Sequence, residues 1–233
     1  GGPTGFSEPR EIIAADPGTI LLIALPTDYD QDGRVDLFLP TDLGHPSNLW
    51  HNTGTDGDGW PLLEDEAPAL GADIVLSAMG ADASDVNRDG RPDYCITDVG
   101  APTCLVSGDF GFVESGAALG LVPASPVGPN GTVGWSFDFA DLDNDGWDDA
   151  LQASGPFPEE AEDVTQEENL PDLIWQGDAS GFTDRTASLN FGDTSNHTGL
   201  ATGDVNGDGY LDVVLAGPGT RPKLWMNQCG AGA

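Results

Sequence analysis

The sequence predicts an all-β architecture of four repeated sheets, each of four short strands, set as the blades of a β-propeller or of a segment of one. Three observations predict it. An Asp-rich loop pattern, D-x-[DN]-x-D-G-x-x-D, occurs four times along the 233 residues. Each copy is flanked by short apolar runs of β type. The two ends of the chain also carry complementary parts of one repeat.

The four loops start 57, 56 and 63 residues apart. The first has Asp28, Asp30, Asp32, Gly33 and Asp36, and the second Asp85, Asn87, Asp89, Gly90 and Asp93. The third has Asp141, Asp143, Asp145, Gly146 and Asp149, and the fourth Asp204, Asn206, Asp208, Gly209 and Asp212. Before each loop a first strand is expected, at Ile20 to Leu25, Leu76 to Ala81, Val133 to Phe139 and Gly199 to Thr202. After each comes a second, at Val35 to Leu39, Tyr94 to Thr97, Ala150 to Gln152 and Leu211 to Leu215. The third strand carries an apolar pair, Leu49-Trp50, Leu105-Val106, Ile174-Trp175 or Leu224-Trp225, read as packing between repeats. The fourth opens on Gly and an aromatic residue, as Gly59-Trp60, Gly111-Phe112 or Gly181-Phe182.

The last repeat stops after its third strand, and Gly5-Phe6-Ser7-Glu8 matches the opening of a fourth strand, Gly111-Phe112-Val113-Glu114. A single repeat domain over 1–233 follows. Its blades span about 19–70, 71–127, 128–192 and 193–229, the last completed by an N-terminal strand at 5–14, which removes an open edge. Four blades are compatible with a ring of four or with part of a larger one.

The loop pattern has the chemistry of a calcium site. Calcium takes six to eight oxygen ligands, from carboxylates and backbone carbonyls. Positions 1, 3 and 5 turn side chains toward the ion, Gly at position 6 permits the sharp turn, and position 9 returns a carboxylate. Position 7 offers its backbone carbonyl, here from Arg34, Arg91, Trp147 and Tyr210. About four Ca²⁺ ions are expected, one per loop. Magnesium fits less well, because it keeps several waters in an octahedron. An EF-hand is excluded, since its twelfth position needs a bidentate Glu and the chain has Leu39, Ile96, Gln152 and Leu215 there. A tandem nonapeptide β-roll is excluded by the spacing.

The stretch from Gly199 through Asp204, Asn206, Asp208 and Asp212 to Pro218 resembles the FG-GAP/VCBS repeat of integrin α-subunit propellers and of many secreted bacterial proteins. The Leu-Trp-x-Asn element, with Asn52 and Asn227, and the Gly-aromatic strand resemble the cartilage acidic protein branch of that group. The resemblance extends over all four repeats. It implies a β-propeller with calcium held at the matching Asp and Asn positions, an extracellular setting, and a role in adhesion or recognition. Asp148 stands where the family commonly has an apolar residue.

Composition excludes some partners. With 40 Asp+Glu against 7 Lys+Arg and a net charge of −33, the chain is repelled by nucleic acid and anionic membranes. No apolar run is long enough for a helical membrane span, so no membrane insertion is expected. The Gly-Gly start is no signal peptide, so a mature or trimmed chain is expected. Cys95 and Cys104 flank the turn Gly100-Ala101-Pro102 and are placed for a disulfide across a hairpin, with two buried thiols as the alternative. Cys229 is left over, free or paired outside the chain.

The long interval between the third and fourth loops comes from an acidic insertion, Pro156 to Asp172, read as a solvated segment, with binding of a cationic partner or of extra calcium as the alternative. Asp56-Gly57-Asp58-Gly59 reads as a hairpin turn. His45, His51 and His197 show no metal-type spacing, and no nucleophile elbow or phosphate loop is present, so no catalytic residues are expected. The sequence reading is therefore a secreted, calcium-stabilised propeller recognising a protein or glycan ligand. Its rivals are a self-assembling subunit of a surface layer or extracellular filament, and the non-catalytic propeller of a larger secreted enzyme.

Overall fold

The computed structural model describes residues 5–12, 18–124, 133–156 and 170–228. They form four antiparallel meanders. The first contains β1 (Leu25–Thr27), β2 (Asp36–Leu39), β3 (Asn48–Thr55) and β4 (Pro61–Asp65) in that order across the sheet, followed by a helical turn, α1 (Ala67–Leu70). The second contains β5 (Ala81–Ser84), β6 (Asp93–Ile96), β7 (Thr103–Gly108) and β8 (Gly111–Glu114). The third contains β9 (Gly134–Ala140), β10 (Asp149–Ser154), β11 (Leu173–Asp178) and β12 (Gly181–Asp184). The fourth has three strands, β13 (Gly199–Gly203), β14 (Asp212–Ala216) and β15 (Lys223–Trp225).

Each acidic loop joins the first and second strands of its sheet. First strands stand side by side, β1 against β5, β5 against β9 and β9 against β13, so the sheets follow one another as blades in an open series. The apolar core lies between neighbouring sheets. Between the first and second, Phe38 stacks on Tyr94 at 4.5 Å between ring centroids, and Leu49, Leu105 and Phe112 close around them. Between the second and third lie Leu121, Phe137, Leu173 and Trp175, and between the third and fourth Leu151, Ile174, Phe191, Val213 and Leu215. Of the recurrent Trp residues, Trp175 is fully buried in this packing.

Several boundaries differ from the sequence reading. In the first two sheets the opening strand is not the apolar run Ile20 to Leu25 or Leu76 to Ala81, but the more polar segment directly before the loop. First strands pack closely against one another, and small residues suit that position: a Cβ added to Gly80 would stand 2.6 Å from the Ser136 backbone. Leu22, by contrast, is exposed. Gly59-Trp60 lies in the turn before β4, because a bulge in β3 shifts the register there. The helical turn α1 gave no signal in the sequence.

The expected completion of the fourth sheet by residues 5–14 is not found. Residues 5–12 form no strand, and Arg10 pairs at 2.8 Å with Asp56 of the first sheet and lies over the Trp60 ring. Residues 13 and 14, Cys229 and most of the acidic insertion (157–169) lie outside the described residues. At the end of that insertion, Asp172 is no solvated acid. It is fully buried, accepts the Ser154 N–H at 2.9 Å and pairs at 2.7 Å with buried His197. Asp148 takes a hydrogen bond from the Ser84 hydroxyl at 2.5 Å, joining the second and third sheets at its unusual position. Cys95 and Cys104 face each other across β6 and β7 and are joined as a disulfide. No helix among the described residues is long and apolar enough to cross a membrane.

The Gly-aromatic strands β8 and β12 owe their glycine to a close approach. Gly181 has φ +114°, and a Cβ there would lie 2.4 Å from the Leu119 carbonyl oxygen. We expect Gly181→Ala to destabilise the protein by about 2–3 kcal/mol in urea unfolding. Gly203→Ala, where nothing lies within 4 Å, should change stability by less than about 1 kcal/mol.

Candidate metal centres

The four loops share one hydrogen-bonding scheme. At position 1, a carboxylate oxygen accepts the N–H of the position-6 glycine: Asp28 from Gly33 (3.0 Å), Asp85 from Gly90 (2.8 Å), Asp141 from Gly146 (2.9 Å) and Asp204 from Gly209 (2.9 Å). At position 3, Asp30, Asn87, Asp143 and Asn206 each accept the N–H of position 5. At position 5, Asp32, Asp89, Asp145 and Asp208 accept the N–H of position 7, which belongs to Arg34, Arg91, Trp147 and Tyr210. These bonds fold each loop back on itself.

Position 9 does different work. Asp36, Asp93, Asp149 and Asp212 are buried at the start of the second strand. One oxygen of each accepts the N–H of loop position 2, from Tyr29, Val86, Leu142 or Val205. The other accepts an N–H from the third-strand segment, at Asn52, Ser107, Gly177 or Asn227. Burial pushes the carboxyl of Asp36 and of Asp93 above the usual range, and that of Asp149 up to about 6, against the lowering effect of these N–H groups.

In the first loop, carboxylate oxygens of Asp28, Asp30 and Asp36 lie within 4.8 Å of one another, as do those of Asp141, Asp143 and Asp145 in the third. Asp28 Oδ1 is buried without a hydrogen-bond partner, an arrangement that a cation would relieve. In the second and fourth loops Asn87 and Asn206 replace one acid, and their side-chain amides donate to Asp89 (3.4 Å) and Asp208 (2.8 Å). The donors are oxygens throughout, in a count and flexibility that fit a hard divalent cation. The position-7 side chains turn to other work: Arg91 pairs with Asp109 at 2.7 Å, and the Trp147 ring lies under the Arg88 guanidinium.

Two features escaped the sequence reading. Position 4 is left-handed in every loop, at Gln31 (φ 62°), Arg88 (φ 59°), Asn144 (φ 58°) and Gly207 (φ 77°). In the first three loops this side chain donates to the position-6 carbonyl of the next loop: Gln31 to Gly90, Arg88 to Gly146 and Asn144 to Gly209. The loops therefore form one linked row. The visible signal was an amide or guanidinium donor at position 4 in three of four copies.

The second feature, in the first and third sheets, is the residue after the third-strand pair, which reaches the loop's position 3. His51 Nε2 lies 3.2 Å from Asp30, and Gln176 donates to Asp143 at 2.7 Å. His51, without a role in the sequence reading, is thus part of the first loop's surroundings, and its Nδ1 faces Glu66 at 3.3 Å. Its spacing could not reveal this, because β3 brings it back from a different strand.

A series of antiparallel blades, three of four strands and one of three among the described residues, each with an acidic loop between its first two strands, defines a propeller-type repeat protein with metal-capable loops. The family model of the FG-GAP-like repeat matches residues 28–96, and that of the FG-GAP repeat matches residues 198–233. The chain is an FG-GAP-type repeat protein. Such repeats are typical of extracellular or surface proteins, and their domains are typically non-catalytic. No curated protein matches it.

Burial lowers the His51 pKa, but its hydrogen bond to Glu66 and the charges of Glu66, Asp30 and Asp36 outweigh this and raise it. A divalent cation in the first loop would compete for those carboxylates. The His51 pKa, followed by NMR, should therefore fall when calcium is added to demetallated protein, and stay unchanged in an Asp28→Ala, Asp30→Ala variant.

Proposed function

We propose that this chain is a secreted calcium-binding propeller-type protein, in which about four structural Ca²⁺ ions brace the loop row and the blade faces serve extracellular recognition or adhesion of a protein or glycan. The observation that carries the reading is the shared loop scheme. In four places, side-chain oxygens at positions 1, 3 and 5 accept backbone N–H groups of their own loop, beside a buried position-9 carboxylate, and in the first and third loops three carboxylates converge within 4.8 Å. Calcium would supply positive charge there. The chain's own part is to hold Asp28, Asp85, Asp141 and Asp204, with their partners at positions 3 and 5, against mutual repulsion. Recognition is assigned to the blade faces because the loop carboxylates are committed to the ion and to each other.

Calorimetric titration of demetallated protein with calcium tests the metal reading directly, and absence of uptake would overturn it. Asp208→Ala should lower stability in calcium by up to about 2.7 kcal/mol at a hundredfold excess over Kd, and change little in chelator. Equal losses under both conditions would refute the fourth site. Arrays of extracellular proteins and glycans, probed with calcium and with chelator, test the recognition reading.

The pH dependence has a definite sign. The Asp149 pKa, held near 6 by burial, lies above its unfolded value. Without metal this carboxyl therefore stabilises the fold at low pH, and the contribution is lost as pH rises through about 6. Calcium favours the ionised form and acts in the opposite sense. The gap in melting temperature between calcium and chelator should be widest above pH 7 and narrow steadily below pH 6.

A further inference from the structure

Among the described residues the fourth sheet ends at β15, whereas β3, β7 and β11 each pair with a further strand. Beside β15 opens a cavity of about 530 Å³, lined chiefly by apolar side chains, including Leu142, Ile174, Leu189, Phe191, Val213 and Trp225. This place corresponds to a seat that is filled in two other sheets. In the second, Gly111 of β8 sits on the turn after β4, where an added Cβ would lie 2.4 Å from the Leu70 carbonyl oxygen, and Phe112 packs 5.3 Å from Tyr94. In the third, Gly181 sits equally close to the Leu119 carbonyl, which accepts the Phe182 N–H at 2.6 Å.

The turn after β12 repeats that seat. Leu189 N–H donates to Arg185 at 2.9 Å and Phe191 N–H to Thr186 at 3.0 Å, as Leu119 does to Ser115 (2.8 Å) and Leu121 to Gly116 (3.0 Å). Asn190, at φ 54°, stands where Gly71 and Gly120 do. A Cβ would meet the Phe112 carbonyl oxygen at 3.1 Å at Gly71 and the Phe182 carbonyl oxygen at 2.2 Å at Gly120, so a strand seated beside Asn190 stands further out than β12 does. Leu189 is 58% exposed, while Leu70 and Leu119 are partly covered by their strands.

The chain contains three Gly-Phe dipeptides. Two are seated; the third, Gly5-Phe6, leaves Phe6 fully exposed. All three continue to an acid at the fourth position, Glu114, Asp184 or Glu8. Glu114 and Asp184 accept the N–H two residues on, from Gly116 and Thr186, both at 2.8 Å. Gly5-Phe6-Ser7-Glu8 thus carries the strand signature that the open seat accepts. Within its own chain the segment is held at the far end of the series, through Arg10 on Asp56 and Trp60.

We infer that residues 5–8 of one molecule add as the fourth strand to β15 of a second copy. In the register of β11 and β12, Phe6 lies opposite Asn227, Ser7 opposite Met226 and Glu8 opposite Trp225 of the partner molecule. Such a contact is heterologous, so repeated addition gives head-to-tail chains, or a closed ring where the rotation between copies permits one. Two chains of net charge −33 repel, so association strengthens as salt rises from 10 mM to 0.5 M.

Sedimentation velocity over a concentration series in calcium tests this. The protein should form dimers and longer species, and Phe6→Ala should weaken association by about 30-fold or more without changing the melting temperature of the monomer. An equal mixture of Ser7→Cys and Met226→Cys chains, each with Cys229→Ser, should form a disulfide-linked heterodimer. Three outcomes would overturn the inference: monomers at every concentration, undiminished association of Phe6→Ala, or a Ser7→Cys, Met226→Cys double variant that crosslinks only within one chain. The measurement reads association and not ion uptake, so it fails or succeeds separately from the calcium reading.

Discussion

Four buried carboxylates hold the architecture in register. Asp36, Asp93, Asp149 and Asp212 each bind one backbone N–H of their loop and one of the third-strand segment. A single side chain at the head of the second strand thereby ties three parts of the sheet together. Removing a carboxylate from water costs several kcal/mol unless donors replace the lost hydration. Two N–H bonds to a charged acceptor offset part of that, at roughly 1.5–3 kcal/mol each. The raised pKa of Asp36, Asp93 and Asp149 shows that the offset is incomplete in the bare chain. The strain is electrostatic, and it sits beside a loop whose other acids can share a cation.

From those anchors the repeat propagates sideways. The left-handed residue at position 4 points its side chain at the next loop, and Gln31, Arg88 and Asn144 hand the row on until Gly207 ends it. At the other end of the second and third blades, the Gly-aromatic strand rests on the turn that follows the preceding blade. Aromatic residues then fill the space between sheets, as Phe112 does beside Tyr94 and Phe182 beside Phe139. Each blade is thus bound to its neighbour twice, once by polar links between loops and once by apolar contact, in the nearest-neighbour manner of repeat proteins.

The repeat, the four-strand pattern of the first three sheets and the placing of the acids in one loop per sheet were legible because they depend on local spacing. D-x-[DN]-x-D-G fixes a turn by its own hydrogen bonds, and the pairs Ile174-Trp175 and Leu224-Trp225 mark third strands wherever they occur. What depends on three-dimensional return was not legible. His51 meets Asp30 through the course of β3, and Asp172 meets His197 across 25 residues. The first strands of the leading two sheets were misplaced because apolarity is a poor guide where backbones approach closely and small or polar residues are preferred, as at Ala81-Asp82-Ala83-Ser84. The N-terminal Gly-Phe-x-acid signature predicts a fourth strand, but residues 5–12 form none and are held instead by Arg10 on Asp56 and over Trp60, a contact no spacing encodes.

The acidity itself takes on meaning from where the acids bond. A chain made acidic only for solubility would spread carboxylates over the surface without regard to the backbone. Here they cap it. Beyond the loops, Asp65 accepts from Ala67, Glu114 from Gly116, Asp184 from Thr186 and Asp193 from Ser195, each closing a turn. Asp98 accepts from Ser77, and Asp172 from Ser154, joining segments far apart in sequence. Strands of three to eight residues leave many N–H groups outside any ladder, and short Asp side chains are well suited to satisfy them. The same residue that caps a turn becomes, when three or four copies converge, a ligand set for a hard cation. In this chain metal capability is a concentrated form of a device the fold already uses throughout.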